Sequence, residues 1–237
     1  ALIAGERDVH ALAQMAKARM RPKIPPLVEA LNGNFSEHHA FLCRLHLDRI
    51  DQLRAAIGQL SLRIEEEMRP FARQLELLQT IPGVGQTTAE VLIAETGADM
   101  ARFRTAGHLA SWAGVCPGHH ESAGKQKSGR RRHGNRWHGA ALGTAAMAAS
   151  RTRERTYPGA RYMRLMPRLG KKKALVALEH TLLTAAWHIL TNDAPFQDLG
   201  GDYYTKHDPE RALRRITRQA NALGLTVRFE PIEAPPS

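Results

Sequence analysis

The sequence predicts a mostly α-helical protein in which long coiled-coil helices are followed by a second helical domain. Three observations support this fold class. Apolar residues alternate at spacings of three and four from Ile50 to Ile64, a glycine-rich turn at 81–85 separates two apolar helical stretches, and residues 171–191 repeat apolar positions at helical spacing. One short strand is expected, at residues 226–229.

The composition is that of a globular protein with a strong positive charge. The chain has 237 residues, 34 Lys plus Arg against 23 Asp plus Glu, and 43% hydrophobic residues, which excludes wholesale disorder. No uninterrupted apolar run approaches the roughly 18 residues that span a bilayer. For that reason we expect no membrane partner. The two cysteines, Cys43 and Cys116, make no disulfide framework, so we expect a reducing, cytoplasmic location.

The positive charge is concentrated in one stretch. Residues 122–178 carry 15 Lys or Arg and a single acid, Glu154, whereas the rest of the chain has a slight excess of acids. A solvated helix face interleaves the two signs, as Arg63 and Glu66 do. We therefore expect residues 122–178 to bind a polyanion, most economically nucleic acid.

The first 78 residues divide into a linker and a coiled coil. Residues 1–35 begin as a helix but run into several prolines, and Ser36 is the expected N-cap of the next helix. Residues 36–78 carry the apolar seam of a coiled coil, which predicts a helical hairpin or a homo-oligomer. The alternative is a core helix of a bundle. The seam slips by one residue near Pro70, so a kink or break is expected there.

Residues 79–97 have the pattern of a helix-hairpin-helix. Gly83 and Gly85 allow backbone angles closed to other residues, so amide groups can face outward beside a helix N-terminus. Such a site suits a phosphate and contacts the backbone of nucleic acid without reading bases. The alternative is a tight turn in which glycine is required for steric reasons alone.

The remaining chain alternates helices and loops. These are a short helix within 101–118, a loop rich in Gly, Lys and Arg to about Asn135, a helix at 137–150 whose Gly and Ala content requires close packing, the amphipathic helix at 171–191, a loop at 193–208 and a basic helix from Pro209 to about Leu223.

Residues 117–136 hold the residues suited to chemistry. Ser122 lies among glycines and cations, which gives a phosphodiester nucleophile backbone room and positive charge, some of it from Lys125. His119 or His120 would accept the hydroxyl proton. The alternative is that this serine is only a turn or capping residue.

A zinc site is a rival interpretation of the same segment. Cys116, His119, His133 and His138 have the spacing C-x2-H-x13-H-x4-H, close to a two-plus-two arrangement. The mixed first pair and the dense basic loop argue against it. No metal site is therefore assigned, and solvent-facing or buried histidines are the simpler interpretation.

The acids do not form a magnesium site in the sequence pattern, because none falls in a strand-borne cluster. The candidates considered are Asp48, Asp51, Asp99, Asp193, Asp198 and Asp202. If the protein cuts DNA with metal, the carboxylates come from elsewhere.

The ordered set of motifs resembles the C-terminal transposase region of the insertion-sequence one-ten family, the DEDD-type transposases guided by a bridge RNA. The motifs are IPGVGQTTAEVLIAETG at 81–97, FRTAGHLASWAGVCPG at 103–118 and ESAGKQKSGRRRHGN at 121–135. The similarity extends to residues 1–51 and to PFQDLGGDYY at 195–204, so it covers nearly the whole chain.

The resemblance implies a mechanism and its residues. In that family a RuvC-like domain binds magnesium through four acids, a coiled coil follows, and a serine of the transposase domain forms a covalent phosphoserine link with DNA. Ser122 occupies the nucleophile position, and Gly124, Lys125, Gly134 and Asn135 match the surrounding loop. The resemblance and the basic surplus together predict contacts to DNA or guide RNA through Gly83, Gly85, Gly124, Lys125, Lys127, Arg130, Arg131, Arg132, Asn135 and Arg136.

The sequence departs from the family pattern because no part of it resembles the RuvC-like domain or its acids. We expect either that it is a truncated or fragmentary element, or that a separate chain supplies the metal-binding half. Residues 1–35 would be the end of that domain and its linker, 36–78 the coiled coil, 79–192 the transposase domain and 193–237 a C-terminal extension. Magnesium is then expected on the missing domain and no cofactor on this chain, which alone would be inactive. The competing hypothesis is a non-catalytic nucleic-acid-binding protein that uses the same hairpin and basic loop.

Overall fold

The computed structural model is mostly α-helical, as the sequence predicts, with one antiparallel β-hairpin in the described residues. It describes residues 1–116, 120–128 and 133–230, without the side chains of 120–122 and 126–128. The elements in chain order are α1 (Val9–Gln14), α2 (Ile24–Leu31), α3 (Glu37–Met68), α4 (Ala72–Gln79), α5 (Gln86–Thr96), α6 (Ala106–Trp112), β1 (His120–Ser122), β2 (Lys125–Ser128), α7 (Arg136–Ser150), α8 (Tyr157–Leu169), α9 (Lys171–Asn192), α10 (Tyr203–His207) and α11 (Pro209–Ala222).

The chain divides into two units, and the long helix α3 dominates the first, Ala1–Arg69. Ser36 caps α3 as predicted, and the Ser36 amide donates to Nδ1 of His39 at 3.1 Å, which completes a capping box. No residue of α3 is buried. The predicted apolar seam is exposed, with 62% of Ile57 and 63% of Leu60 accessible to solvent.

The second unit, Pro70–Ser237, is organised around α9. A 3-10 turn at Arg69–Phe71 separates α3 from α4, which confirms the predicted break near Pro70. The helix α9 packs against α4, α6, α7 and α8, and its residues Leu178 and Leu182 are buried as predicted. These contacts form the hydrophobic core that positions the candidate site.

By length and composition α9 could also cross a membrane. Its first turn, however, contains three lysines, and Glu179 is buried on the side that faces Gly143 of α7. Four neighbouring helices already cover its apolar residues. These features are those of the core helix of a folded domain.

The small side chains of α7 allow the turn before α5 to approach closely. Ala145 and Ala149 are fully buried, and Gly83 has a φ of 94°. A Cβ on Gly83 would lie 2.5 Å from the Ala145 carbonyl oxygen and 2.6 Å from the Ala149 amide nitrogen. Only glycine fits there, so the close packing predicted for residues 137–150 is confirmed.

Three helical or extended stretches differ from the sequence prediction. Residues 226–229 are not a strand, because no described strand lies beside them and an isolated strand gains little. The predicted loop at 193–208 contains the short helix α10. The helix α8 was not predicted, since Pro158 and Gly159 suggest a turn, yet proline is well tolerated in a first helical turn.

Residues 193–204, here called the C-terminal strap, are fixed to the second unit at two points. The Phe196 amide donates to the Thr80 hydroxyl at 2.8 Å. The Tyr157 amide donates to the Asp198 carboxylate, also at 2.8 Å. The strap therefore connects the turn before α5 with the start of α8.

Candidate functional site

The candidate nucleophile lies at the tip of the hairpin formed by β1 and β2. Ser122 pairs with Lys125 in the backbone register, and Ala123 and Gly124 form the two-residue turn between them. Both turn residues have positive φ, 52° and 71°, as a type I′ turn requires. The segment expected to be a loop is therefore a hairpin whose backbone pairs Ser122 with Lys125.

Several predicted site residues lie outside the part of the chain that the structure describes. Among them are His119, Arg130, Arg131 and Arg132. The same holds for the side chains of His120, Ser122, Lys127 and Ser128, whose backbone belongs to the hairpin. Of the predicted cations, Lys125 and Arg136 are described and both are exposed.

The C-terminal base of the hairpin segment is anchored in the protein. A Cβ on Gly134 would collide with the backbone of Ala113 and Gly114, so this segment lies directly against the end of α6. The side-chain oxygen of Asn135 accepts from the amides of Trp137 and His138 and caps α7. Both residues were predicted to surround the nucleophile, and the structure gives both a structural role.

Glu95 is a residue of this region that the sequence did not single out. The side-chain amide of Asn135 donates to the Glu95 carboxylate, which lies 40 positions earlier on α5. This bond connects the cap of α7 to the helix that follows the glycine-rich turn. Contacts at this separation leave no periodic signal, so only the fold reveals them.

His138 is buried directly after the anchored base. It is 0% exposed, and its ring meets Trp112 edge-on with 5.5 Å between the centroids. Burial lowers the pKa of His138 to about 4, because the charged imidazolium would lose its hydration. Neither ring nitrogen has a hydrogen-bond partner within the described residues, so this histidine is held neutral at physiological pH.

The described residues give no support to a zinc site. Nowhere among them do three His, Cys, Asp or Glu side chains form a group that could hold a metal ion. Cys116, His133 and His138 therefore do not come together, and His119 lies outside the described residues.

The acids considered as magnesium ligands have other partners or lie on the exposed helix α3, where Asp51 pairs with Arg54 at 3.4 Å. Asp99 caps the 3-10 turn at Met100–Arg102, and Asp198 accepts hydrogen bonds from the strap and α8. Asp193 pairs with Arg73 at 3.4 Å, and Asp202 pairs with Lys206 at 2.6 Å.

The two glycines of the predicted helix-hairpin-helix have different surroundings. The helices α4 and α5 pack against each other across the turn at residues 80–85. Gly83 faces α7, as described above, whereas Gly85 is exposed and a Cβ there would meet nothing within 4 Å. Gly85 is the N-cap of α5, and among the described residues no side-chain cap satisfies the first amides of that helix. The end of α5 at Gly85 therefore remains open to an anion.

An exposed aromatic residue adjoins the basic segment. Trp137 is 61% exposed, and the Arg136 guanidinium lies 4.7 Å from its ring centroid. An exposed aromatic ring beside arginine is typical of surfaces that stack on unpaired bases. In the sequence, Trp137 directly follows Arg136, and this pairing of an arginine with an aromatic residue is the signal that could have identified the surface.

The part of the chain that contains this site matches a known family. Residues 75–161 match the family described as "Transposase IS116/IS110/IS902 family". The match includes the turn before α5, the hairpin with Ser122, α7 and the start of α8, but neither α3 nor the C-terminal strap.

Three curated proteins are similar to the chain. The pilin gene-inverting protein of Moraxella bovis is 32% identical over 154 residues, 63% of this chain and 45% of the relative. That of Moraxella lacunata is 33% identical over 125 residues, 51% of this chain and 38% of the relative. A probable family 20 transposase of Pseudomonas aeruginosa is 32% identical over 80 residues, 34% of this chain and 23% of the relative. The chain thus spans less than half the length of these relatives.

Proposed function

We propose that this chain is the coiled-coil and transposase part of a DNA recombinase whose nucleophile is Ser122. One observation carries the proposal. Residues 75–161, which match the transposase family, include a hairpin whose backbone pairs Ser122 with the exposed Lys125 across a two-residue turn. Similarity to proteins named as pilin gene-inverting supports rearrangement of DNA as the outcome.

The proposed reaction is a transfer of a phosphodiester from sugar to serine. The Ser122 oxygen attacks the phosphorus, its hydroxyl proton passes to a base, and a Ser–O–P bond forms. The bond from phosphorus to one deoxyribose oxygen breaks, and that oxygen leaves with a proton as a free hydroxyl. Attack by the hydroxyl of another strand reverses these steps and completes the exchange. The Lys125 ammonium stabilises the negative charge that develops on the phosphate.

The chain alone is proposed to be catalytically incomplete. Its described residues contain no carboxylate cluster suited to magnesium, so the four acids of a RuvC-like domain and their Mg²⁺ would come from elsewhere. The proposed partners are DNA and a guide RNA that selects the sites, consistent with the excess of Lys and Arg over acids.

The exposed seam of α3 supports assembly of two copies. Residues Ile50, Leu53, Ile57, Leu60 and Ile64 are each more than 40% exposed, although their spacing is that of a coiled-coil interface. We propose that a second copy covers this seam.

A covalent-trapping experiment tests the nucleophile. Labelled DNA, guide RNA, Mg²⁺ and a separately supplied metal-binding domain are mixed with the chain, and a denaturing gel detects labelled protein. Ser122→Ala should abolish the adduct, because alanine has no oxygen to attack phosphorus. Ser128→Ala is the matched control, since this serine belongs to the same hairpin and pairs with His120 at its other end.

The same experiment also distinguishes Ser122 from Ser128 as the nucleophile, and a recombinase from a non-catalytic binding protein. An adduct that persists in Ser122→Ala and disappears in Ser128→Ala would assign the nucleophile to Ser128. A chain that binds nucleic acid in a salt-sensitive way and never forms an adduct would be a non-catalytic binding protein.

A further inference from the structure

The last described helix, α11, has an arginine stripe outside the segment that matches the transposase family. With about 100° per residue, Arg211, Arg214, Arg215 and Arg218 fall within an arc of about 100°. The large apolar residues Leu213 and Ile216 lie on the opposite side of the helix, and all four arginines are exposed.

These arginines are poorly neutralised by the protein itself. Within the described residues the only ion pair of the stripe joins Arg214 to Glu210, at 3.9 Å. By contrast, α3 interleaves its charges, and Arg63 contacts both Glu66 at 3.1 Å and Glu67 at 2.6 Å. Like charges three and four positions apart destabilise a helix by a few tenths of a kcal/mol each, so the stripe is unfavourable without an anionic ligand.

The stripe has the chemistry and the length to contact several phosphates. Arginine binds phosphate oxygens through two parallel N–H groups, which lysine cannot do. From Arg211 to Arg218 the helix rises about 10 Å, a distance over which duplex DNA presents about six phosphates.

The helix α10, which directly precedes α11 in the chain, contacts α8 through aromatic residues. The Arg164 guanidinium of α8 lies 4.3 Å from the ring centroid of Tyr204 in α10, and Tyr204 stacks on Tyr157 with 5.7 Å between centroids. The helix α11 packs on α10. This aromatic contact ties the helix that precedes the stripe to the basic helix α8.

We propose that the arginine stripe of α11 is a separate binding site for the phosphodiester backbone of nucleic acid, in addition to the hairpin with Ser122. The site rests on the proposed function only in that the chain handles nucleic acid. It takes no part in the covalent step and contributes affinity without reading sequence.

The test compares two quadruple variants of the whole chain. In the stripe variant, Gln replaces Arg211, Arg214, Arg215 and Arg218. In the matched control, Gln replaces four arginines that point in different directions around the exposed helix α3, namely Arg44, Arg49, Arg54 and Arg63. Binding to a short duplex DNA and to single-stranded RNA of the same sequence is measured by fluorescence anisotropy over a range of salt concentrations.

The logarithm of the association constant falls with the logarithm of the salt concentration. In the stripe variant this slope should become shallower by about 2 to 4 on duplex DNA and by slightly less on single-stranded RNA. The control should change it by less than about one. Arg215→Gln alone should lower the slope by about one, and it keeps the test valid if the quadruple variant folds poorly.

Three results would overturn the proposal. They are an unchanged slope in the stripe variant, an equal loss in both quadruple variants, or loss of binding to anionic lipid vesicles with unchanged binding to nucleic acid. The last would assign this amphipathic helix to a membrane surface. The nucleophile is tested separately by the covalent adduct and the stripe by the salt slope, so failure of one proposal is distinguishable from failure of the other.

Discussion

The second unit has two glycine-containing turns, and the sequence predicts that both contact nucleic acid. The structure gives them different surroundings. At the turn before α5, a Cβ on Gly83 would lie 2.5 Å from the backbone of α7. At the hairpin tip, a Cβ on Gly124 would meet nothing within 4 Å. Glycine is thus required by packing and conformation at the first turn, and by its φ of 71° alone at the second.

The largest expected effect is that of Gly83→Ala. The substitution puts a side chain at a φ of 94° and against the α7 backbone, so it should lower the free energy of unfolding by about 2–5 kcal/mol. Urea unfolding followed by circular dichroism measures the change in midpoint.

Gly85→Ala is the control for that experiment. Gly85 has a φ of −98° and open space around it, so the free energy of unfolding should fall by only about 1 kcal/mol, the difference between glycine and alanine as an N-cap. Equal losses in the two variants would show that packing against α7 does not distinguish these glycines.

The second expected effect concerns the buried residue that follows the hairpin segment. Burial lowers the pKa of His138 from 6.5 to about 4, so the unfolded chain binds the proton more tightly than the folded one. The resulting stability is fully present above pH 6.5 and is lost as the pH falls towards 4, by about 3 kcal/mol in all.

Unfolding at a series of pH values measures this loss against a His138→Phe variant, which cannot titrate and keeps a ring against Trp112. The variant should show a shallower decline between pH 6.5 and 4. Parallel curves for the two proteins would show that His138 does not contribute.

The smallest effect is expected at the exposed tip. Ala123 has a φ of 52°, which is unfavourable for alanine and well tolerated by asparagine, and Asn-Gly is the preferred pair of a type I′ turn. Ala123→Asn should therefore stabilise the protein by up to about 1 kcal/mol. A lower melting temperature in this variant would contradict the assigned turn type.

The elements that the sequence predicts well are those with a local signal. The helix α3, the cap at Ser36 and the apolar face of α9 all follow from periodicity or from one short side chain. The hairpin at 120–128 was expected to be a loop, because Ala-Gly is not a typical turn pair and the flanking residues are mostly polar.

The contacts around the site could not be predicted, because they join residues that are far apart in sequence. Glu95 meets Asn135, and Gly134 fits against Ala113, only because α5, α6 and α7 share one core. The functional assignment of Ser122 remains a prediction, while its place at the hairpin tip is a structural result.

The C-terminal strap has a consequence for the newly made chain. The hydrogen bond from Phe196 to Thr80 joins residues 116 positions apart, so at about 5–20 residues per second a ribosome needs on the order of ten seconds between them. Meanwhile the Thr80 hydroxyl can donate to the Leu77 carbonyl, a bond of 2.6 Å that needs no distant partner. The bond from Thr80 to Leu77 can therefore form before α9 is made, whereas the bond from Phe196 to Thr80 can form only after α9 has been synthesised.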